Sequence, residues 1–159
     1  MEKIASFKVD HLKLEPGLYV SRIDYVNEYQ ITTYDMRITK PNVDEVMNTG
    51  SVHCYEHLGA TFLRNHPIYK DKIIYFGPMG CRTGFYLIIS LPLSSEEVFP
   101  LVKEMNDFVI SFLGDIPGAT PKDCGNYSDM DLENAKKFAL KYKKEFLDKP
   151  KKSQFVYDL

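Results

Sequence analysis

The chain has 159 residues, of which 44% are hydrophobic and 26% are charged, and this ordinary globular composition excludes disorder over the whole length. Its 20 Lys and Arg residues stand against 22 Asp and Glu residues, so it lacks the basic excess typical of a general nucleic-acid binder. No window approaches the ~18 apolar residues that span a bilayer, and we expect neither a nucleic-acid nor a membrane partner.

Four strands are predicted from runs rich in β-branched and aromatic residues. The first two, 18–26 and 29–39, are separated by a two-residue turn and should form an antiparallel hairpin. The other two, 72–76 and 83–93, are joined by a tight connection that contains Gly and Pro. Between the pairs, a short helical turn is expected over 42–48.

Three helices are predicted, over 52–65, 94–113 and 129–147. Ser51 can cap the first helix, and the second opens on the sequence pattern of a capping box. The order β-β-α-β-β-α-α contains no long βαβ series, which favours an α+β sandwich with a mostly antiparallel sheet packed against helices.

We expect residues 1–159 to form a single domain. Residues 1–16 are predicted to be irregular, and 151–159 to be either a loose end or a packing arm. Several charged side chains in 1–16 argue against a signal peptide. The chain's three cysteines are an odd set, far apart in the sequence. These features favour a reducing compartment, which we expect to be the cytoplasm. In such a compartment the cysteines are expected to serve thiol chemistry or metal ligation rather than disulfides.

A candidate metal site lies on the first predicted helix. His53 and His57 are four residues apart, so their imidazoles point the same way and can reach one metal at ~2.0–2.1 Å. Glu56 lies on nearly the same face and could act as an acid or base beside the metal. Two of only four histidines, with a carboxylate between them in an apolar helix, favour a metal site over an ordinary polar surface.

The third ligand is open at this stage. Cys124 lies in a predicted loop, and three protein ligands would leave the fourth position free, which is the catalytic arrangement. The pattern H-x-x-E-H is also typical of inverted zincin peptidases, for which Glu133 could serve as the third ligand. An isolated cysteine equally suits a small buried hydrophobe.

Cys81 is the second candidate for chemistry. It ends a Gly-rich turn that enters a strand, and the neighbouring Arg82 favours its thiolate. Such a cysteine taken alone is more typical of a structural role, and its significance comes from a metal site in the same chain. Cys54 is one step, ~100°, round the helix from His53 and is predicted to lie in the core.

Seven motifs follow one another between residue 4 and about residue 147. They are Ser6-Phe7, Val9-Asp10-His11, Tyr34-Asp35-Met36-Arg37 with Pro41-Asn42, His53-x-x-Glu56-His57-Leu58, Phe62-Leu63-Arg64-Asn65-His66, the run PMGCRTGFY over 78–86, and Cys124-Gly125-x-Tyr127. Together they resemble the S-ribosylhomocysteine lyase (LuxS) family. The run over 78–86 is highly specific, and its combination with the histidine pair makes chance agreement implausible.

The resemblance implies a homodimeric, single-domain α+β enzyme with two active sites at the subunit interface and a small-molecule substrate. It implies Fe(II) as the native metal, readily replaced by zinc or cobalt, with His53, His57 and Cys124 as ligands beside a water. It makes Cys81 and Glu56 the acid–base pair. The positions that match the family's substrate pocket are Ser6, His11, Arg37, Arg64 and Tyr86.

The implied reaction cleaves S-ribosylhomocysteine to homocysteine and 4,5-dihydroxypentane-2,3-dione, the autoinducer-2 precursor, by carbonyl migration and β-elimination. Two positions depart from the family: Tyr75 stands where an acid is often found, which bears on the contact to the substrate's amine, and Cys54 stands where Thr or Ser is common. The runner-up is a small metallohydrolase using the histidine pair and Glu56. A non-catalytic, metal-stabilised module is third, and only the lyase needs Cys81.

Overall fold

The structure, a computed structural model, describes residues 1–158. In this part of the chain the strands are β1 (Gly17–Val26), β2 (Tyr29–Arg37), β3 (Ile73–Pro78) and β4 (Gly84–Ile89). The α-helices are α1 (Ala5–Lys8), α2 (Thr49–Asn65), α3 (Ser95–Ser111) and α4 (Leu132–Tyr142), and a π-helical segment, Lys143–Leu147, continues α4. Short 3₁₀ turns lie at Lys70–Lys72 and Lys152–Gln154. No helix of the described residues is long and apolar enough to cross a membrane.

The four strands form one sheet in the order β1-β2-β4-β3, and every neighbouring pair is antiparallel. The β1–β2 hairpin turns through Asn27, whose φ of 54° is the left-handed value that this turn requires. The predicted α+β class with an antiparallel sheet packed against helices is therefore confirmed.

The two faces of the sheet have different partners. Successive side chains of a strand point to opposite faces, so Met36 and its cross-strand partner Phe85 share one face, while Asp35 and Tyr86 share the other. Tyr55 of α2 stacks on Phe85 with ring centroids 4.7 Å apart. Helices α2, α3 and α4, which pack together, thus cover the Phe85 face, and the Asp35 face looks away from these three helices.

The structure departs from several predicted elements and bounds: β2 ends at Arg37 rather than at residue 39, and α4 begins at Leu132 rather than near residue 129. Helix α2 is capped by Asn48, whose side-chain oxygen accepts a hydrogen bond from the Ser51 backbone at 2.7 Å, so Ser51 lies inside the helix. The expected helical turn over 42–48 is a tight turn instead, with Asn42 at φ 61°. Strand β4 ends at Ile89, because the chain then bends toward the α3 capping box.

Both chain ends are more ordered than the sequence indicated. The predicted irregular start contains the one-turn helix α1. The tail is a packing arm, because the Gln154 side chain donates hydrogen bonds to the backbone carbonyls of Pro16 at 2.7 Å and Glu145 at 3.1 Å. Tyr157 then reaches the Asp35 face of the sheet, where its hydroxyl donates to the Asp35 carboxylate at 2.8 Å.

Candidate active site

One ligand atom from each of His53, His57 and Cys124 lies within 4.8 Å of the other two. The Cys124 Sγ is 3.3 Å from the His53 Nε2. Bond lengths of 2.3 Å to sulfur and 2.0–2.1 Å to nitrogen would place these two atoms about 3.6 Å apart around a tetrahedral ion. Two imidazoles and a thiolate at this spacing therefore fit a divalent transition metal.

Backbone carbonyls orient both imidazoles toward this cluster. The His53 Nδ1 lies 3.0 Å from the carbonyl of Asp129, and the His57 Nδ1 lies 2.7 Å from the carbonyl of Pro117. Because a carbonyl only accepts, each Nδ1 carries the proton and each Nε2 keeps its lone pair for a metal. Gly118, the residue after Pro117, allows the His57 contact. Its φ of +73° favours glycine, and a Cβ at this position would lie 3.3 Å from the His57 Nδ1.

The structure brings Cys124, and not Glu133, to the two histidines. Among the described residues, the metal-competent group that contains His53 and His57 has Cys124 as its third member. The Cys124 amide donates to the Thr120 carbonyl at 3.0 Å, and the Asn126 amide donates to the Cys124 sulfur at 3.5 Å. These backbone contacts hold the Cys124 sulfur on the side of the loop that faces the His53 imidazole.

The other two candidate residues on α2 differ sharply in burial. Glu56 is half-buried and precedes the ligand His57 in the helix. Cys54 is fully buried, and burial, assisted by the charge of Asp131, raises the pKa of its thiol to about 11. The prediction that Cys54 is a core residue is confirmed.

Cys81 is an exposed thiol in the β3–β4 connection. Its Sγ lies 3.1 Å from the Thr83 Oγ1 and 3.9 Å from the Arg37 Nη1. The next residue, Arg82, holds a left-handed φ of 59°, which is costly for a side chain of this size. Reciprocal backbone and side-chain hydrogen bonds with Met47 hold Arg82 in place.

Arg37 is held beside Cys81 by a buried ion pair with Asp35. The Arg37 Nε donates to Oδ1 at 3.1 Å and Nη2 donates to Oδ2 at 2.5 Å, while Nη1 donates to Thr83 at 2.6 Å. Burial acts to lower the pKa of Arg37, but the Asp35 carboxylate outweighs it and the pKa lies above its ordinary value. The guanidinium is therefore a permanent positive charge next to the thiol.

Four of the five residues matched to a substrate pocket line one small pocket on the Asp35 face: Ser6, His11, Arg37 and Tyr86. Burial, with Asp35 nearby, raises the pKa of Tyr86 and keeps it neutral. The fifth residue, Arg64, is not among the residues that line this pocket. Its guanidinium donates to the backbone carbonyls of Ile73 and Ile74 at 3.5 and 2.9 Å.

The cluster of His53, His57 and Cys124 and this pocket lie on opposite sides of the sheet. Tyr55 points from α2 to the sheet, and His53 and His57 are each two residues, about 200°, away from it round the helix. The imidazoles therefore face away from the sheet, whereas the pocket lies on the sheet face that α2 does not cover. One chain thus presents two separate half-sites.

Sequence reasoning missed five contributions to these half-sites. Asp35 could have been found, because an Asp two residues before an Arg in a strand shares its face. Thr83 could also have been found, because it lies two residues after Cys81. The backbone carbonyls of Pro117 and Asp129 could not have been found, because their contacts do not depend on side-chain identity. Tyr157 could not have been found either, because it is far from Asp35 in the sequence.

These features define a class of protein: an α+β protein with a His2Cys cluster that could hold a metal ion and an exposed thiol beside a guanidinium. A family model described as S-Ribosylhomocysteinase (LuxS) matches residues 4–153, and the chain belongs to this family. It is 56% identical over 142 residues to an S-ribosylhomocysteine lyase of Clostridium acetobutylicum, covering 89% of this chain and 90% of that protein. It is 54% identical to a protein of the same name from Finegoldia magna, covering 99% of each chain.

Proposed function

We propose that this protein is a carbon–sulfur lyase that cleaves S-ribosylhomocysteine to homocysteine and 4,5-dihydroxypentane-2,3-dione, the autoinducer-2 precursor. The observation that carries the proposal is the exposed Cys81 thiol beside the Arg37 guanidinium, in a chain that also holds the His53, His57 and Cys124 cluster. A hydrolase that activates a metal-bound water would have no use for that thiol, so the alternative is not favoured.

His53, His57 and Cys124 are the proposed ligands of one divalent metal per chain, with Fe(II) expected and zinc or cobalt accepted in its place. The bound metal would act as a Lewis acid that polarises the sugar carbonyl and makes neighbouring C–H groups acidic. The ligands must be deprotonated to bind it, and the backbone contacts of the two Nδ1 atoms already provide the correct imidazole tautomers.

Cys81 is the proposed base for the first proton transfers. As a thiolate it removes the proton from C2 of the open-chain ribose and returns a proton to C1, while the proton of the C2 hydroxyl passes to O1, so that the carbonyl moves from C1 to C2. A second transfer of the same kind moves the carbonyl to C3, with no net oxidation or reduction. Arg37 stabilises the thiolate, and Thr83 fixes the position of the sulfur.

Glu56 is the proposed base for the elimination. With the carbonyl at C3, the proton on C4 is acidic; its removal forms the C4–C5 double bond as the C5–S bond breaks. The electron pair leaves on sulfur, which takes a proton to give homocysteine. The remaining enol tautomerises to the dione. Half-burial of Glu56 beside the ligand His57 suits a carboxylate that must exchange protons with sugar hydroxyls.

The pocket formed by Ser6, His11, Arg37 and Tyr86 is the proposed site for the substrate. An adjoining depression is lined by Tyr75 together with Ser6 and Tyr86. Tyr75 therefore lines this depression at the position where the family often has an acid, and its phenol would take the place of an ionic contact to the substrate's amine. Arg64, which hydrogen-bonds to β3, stays a prediction.

We propose a two-fold homodimer in which the metal half-site of one copy meets the pocket of its partner. The opposite placement of the two half-sites within one chain supports this arrangement, because a symmetric dimer completes two sites at once. Exposed apolar side chains around the pocket also support it: Ile4, Phe7 and Tyr75 all lie open to solvent in the single chain. On this account residues 1–159 act as a single catalytic domain, and the cytoplasmic location stays a prediction of the sequence.

The proposal is tested by measuring free thiol released from S-ribosylhomocysteine by the metal-loaded protein. We expect homocysteine to form in step with the dione, to stop on addition of a chelator, and to resume when Fe(II), zinc or cobalt is restored. The Cys124→Ala variant serves as the matched control that should not recover. Release that continues unchanged in the chelated protein would refute the metal-dependent reaction.

A further inference from the structure

Tyr157, close to the C-terminal end, reaches into the wall of the substrate pocket. It lines that pocket together with Ser6, His11 and Arg37, and its hydroxyl donates to the Oδ2 of Asp35 at 2.8 Å. We propose that Tyr157 is a positioning residue that holds Asp35 and, through it, keeps the Arg37 guanidinium beside the Cys81 thiol. This inference rests on the proposed function of Cys81.

The division of hydrogen bonds around Asp35 supports the proposal. The Arg37 Nε and Nη2 atoms occupy both carboxylate oxygens, which leaves Nη1 as the nitrogen that faces Thr83 and Cys81. The Tyr157 hydroxyl is the further donor to Oδ2 and fixes the plane of the carboxylate. Without it, the carboxylate could rotate and carry the guanidinium with it, since the two groups are joined by paired, charge-assisted hydrogen bonds.

Tyr157 is itself held firmly enough to do this. Its ring stacks on Tyr19, with centroids 4.7 Å apart and an interplanar angle of 7°, and the Tyr19 hydroxyl is anchored on the Glu15 carbonyl at 2.9 Å. Burial, together with the charge of Asp35, raises the pKa of Tyr157. The phenol therefore remains a donor at every pH at which the enzyme would work.

The tail reaches this position because it is tethered immediately upstream. The Gln154 side chain is buried and bonded to the carbonyl of Pro16, the residue before β1. Three residues later the chain arrives at the sheet face that carries Asp35. The C-terminal segment is thus a structural part of the site on the Asp35 face, whereas the metal ligands lie elsewhere.

Tyr157→Phe removes only the hydroxyl and keeps the stacked ring. Tyr25→Phe is the matched control, since the Tyr25 hydroxyl donates to Gln30 at 3.1 Å on an exposed part of β1. In the metal-loaded protein, kcat for homocysteine release should fall about 3- to 10-fold in Tyr157→Phe, a fraction of what a hydrogen bond to a charged group can contribute. KM should change less than twofold, and Tyr25→Phe should match the wild type.

The second readout is alkylation of Cys81 by iodoacetamide, followed by peptide mass spectrometry over a pH series. Arg37 contacts the sulfur directly, Tyr86 and the adjacent Arg82 are further charged or titratable neighbours, and Asp35 and Tyr157 are linked to the sulfur through Arg37. At neutral pH the rate of Cys81 alkylation in Tyr157→Phe should be about 3- to 10-fold below that of the wild type, and the pH profiles of the two proteins should differ. In an Asp35→Asn background, Tyr157→Phe should change the alkylation rate less than twofold, because Tyr157 acts on Cys81 through Asp35 and Arg37.

A Tyr157→Phe variant with unchanged kcat and an unchanged pH profile of Cys81 alkylation would overturn the inference. Reduced stability with an unchanged alkylation profile would also overturn it, because that is the signature of a merely structural role. If the wild-type protein released no homocysteine, the proposed function would fail, while the alkylation comparison would still decide whether Tyr157 acts on Cys81.

Discussion

Replacing Arg37 by Met should destabilise the fold strongly, because the substitution leaves the Asp35 carboxylate buried without its counter-ion. Asp35 and Arg37 are 2% and 3% exposed and are joined by two hydrogen bonds, at 3.1 and 2.5 Å. After the substitution, the Tyr157 hydroxyl would remain as a hydrogen-bond donor to the Asp35 carboxylate.

The expected loss in the free energy of unfolding is about 3–5 kcal/mol, the range for removing one partner of a buried ion pair. For a chain of this size, each kcal/mol lowers Tm by about 2–4 °C, so the shift should be roughly 6–20 °C. Replacing both partners, with Arg37→Met and Asp35→Leu together, should recover about 2 kcal/mol or more, since no buried charge remains.

Urea unfolding at pH 7.5 would measure these differences, with protein and metal concentrations held constant. Arg22→Met is the matched control, because Arg22 pairs with Asp24 on the exposed surface and should cost less than about 1 kcal/mol. If Arg37→Met cost no more than Arg22→Met, or if the double variant were less stable than the single one, the account of this buried pair would be wrong.

Three further predictions concern the metal, the thiols and assembly. Cys124→Ala should bind metal at least 100-fold more weakly, and the wild type should release metal on acidification as its ligands are protonated, both measurable by elemental analysis after dialysis; full metal retention in the variant would rule out this ligand set. Iodoacetamide should modify the exposed Cys81 before Cys54, whose burial raises its pKa to about 11; the reverse order by mass spectrometry would contradict the assignment. Light scattering at micromolar concentration should show a dimer, and a monomer with full turnover would exclude a shared site.

The parts of the structure that could be predicted from sequence are those set by local periodicity and short-range chemistry. The spacing of His53 and His57 determines that both imidazoles leave α2 on one side, whatever the rest of the fold does. The β1–β2 hairpin and the capping box of α3 likewise follow from a few adjacent residues. These features were confirmed because no tertiary contact competes with them.

The features that could not be predicted depend on contacts between distant segments. The third ligand was open between Cys124 and Glu133, because a loop thiol carries no periodic signal and its position depends on the turns around Thr120. The contact of Tyr157 with Asp35 spans 122 residues and arises only after the tail packs on Pro16. Local reasoning also predicted Ser51 as the α2 cap, whereas Asn48 caps the helix; both side chains suit that role.

The most direct test of the lyase mechanism is homocysteine release by metal-loaded Cys81→Ala, with Glu56→Gln measured beside it. Both variants should keep one metal per chain, because neither side chain is a ligand, and both should lose about 10²–10⁴-fold in turnover. Exchange of the C2 hydrogen with solvent should fall sharply in Cys81→Ala and persist in part in Glu56→Gln. Near-normal release by metal-loaded Cys81→Ala would contradict the mechanism, and a hydrolytic role for Glu56 would then be the better account.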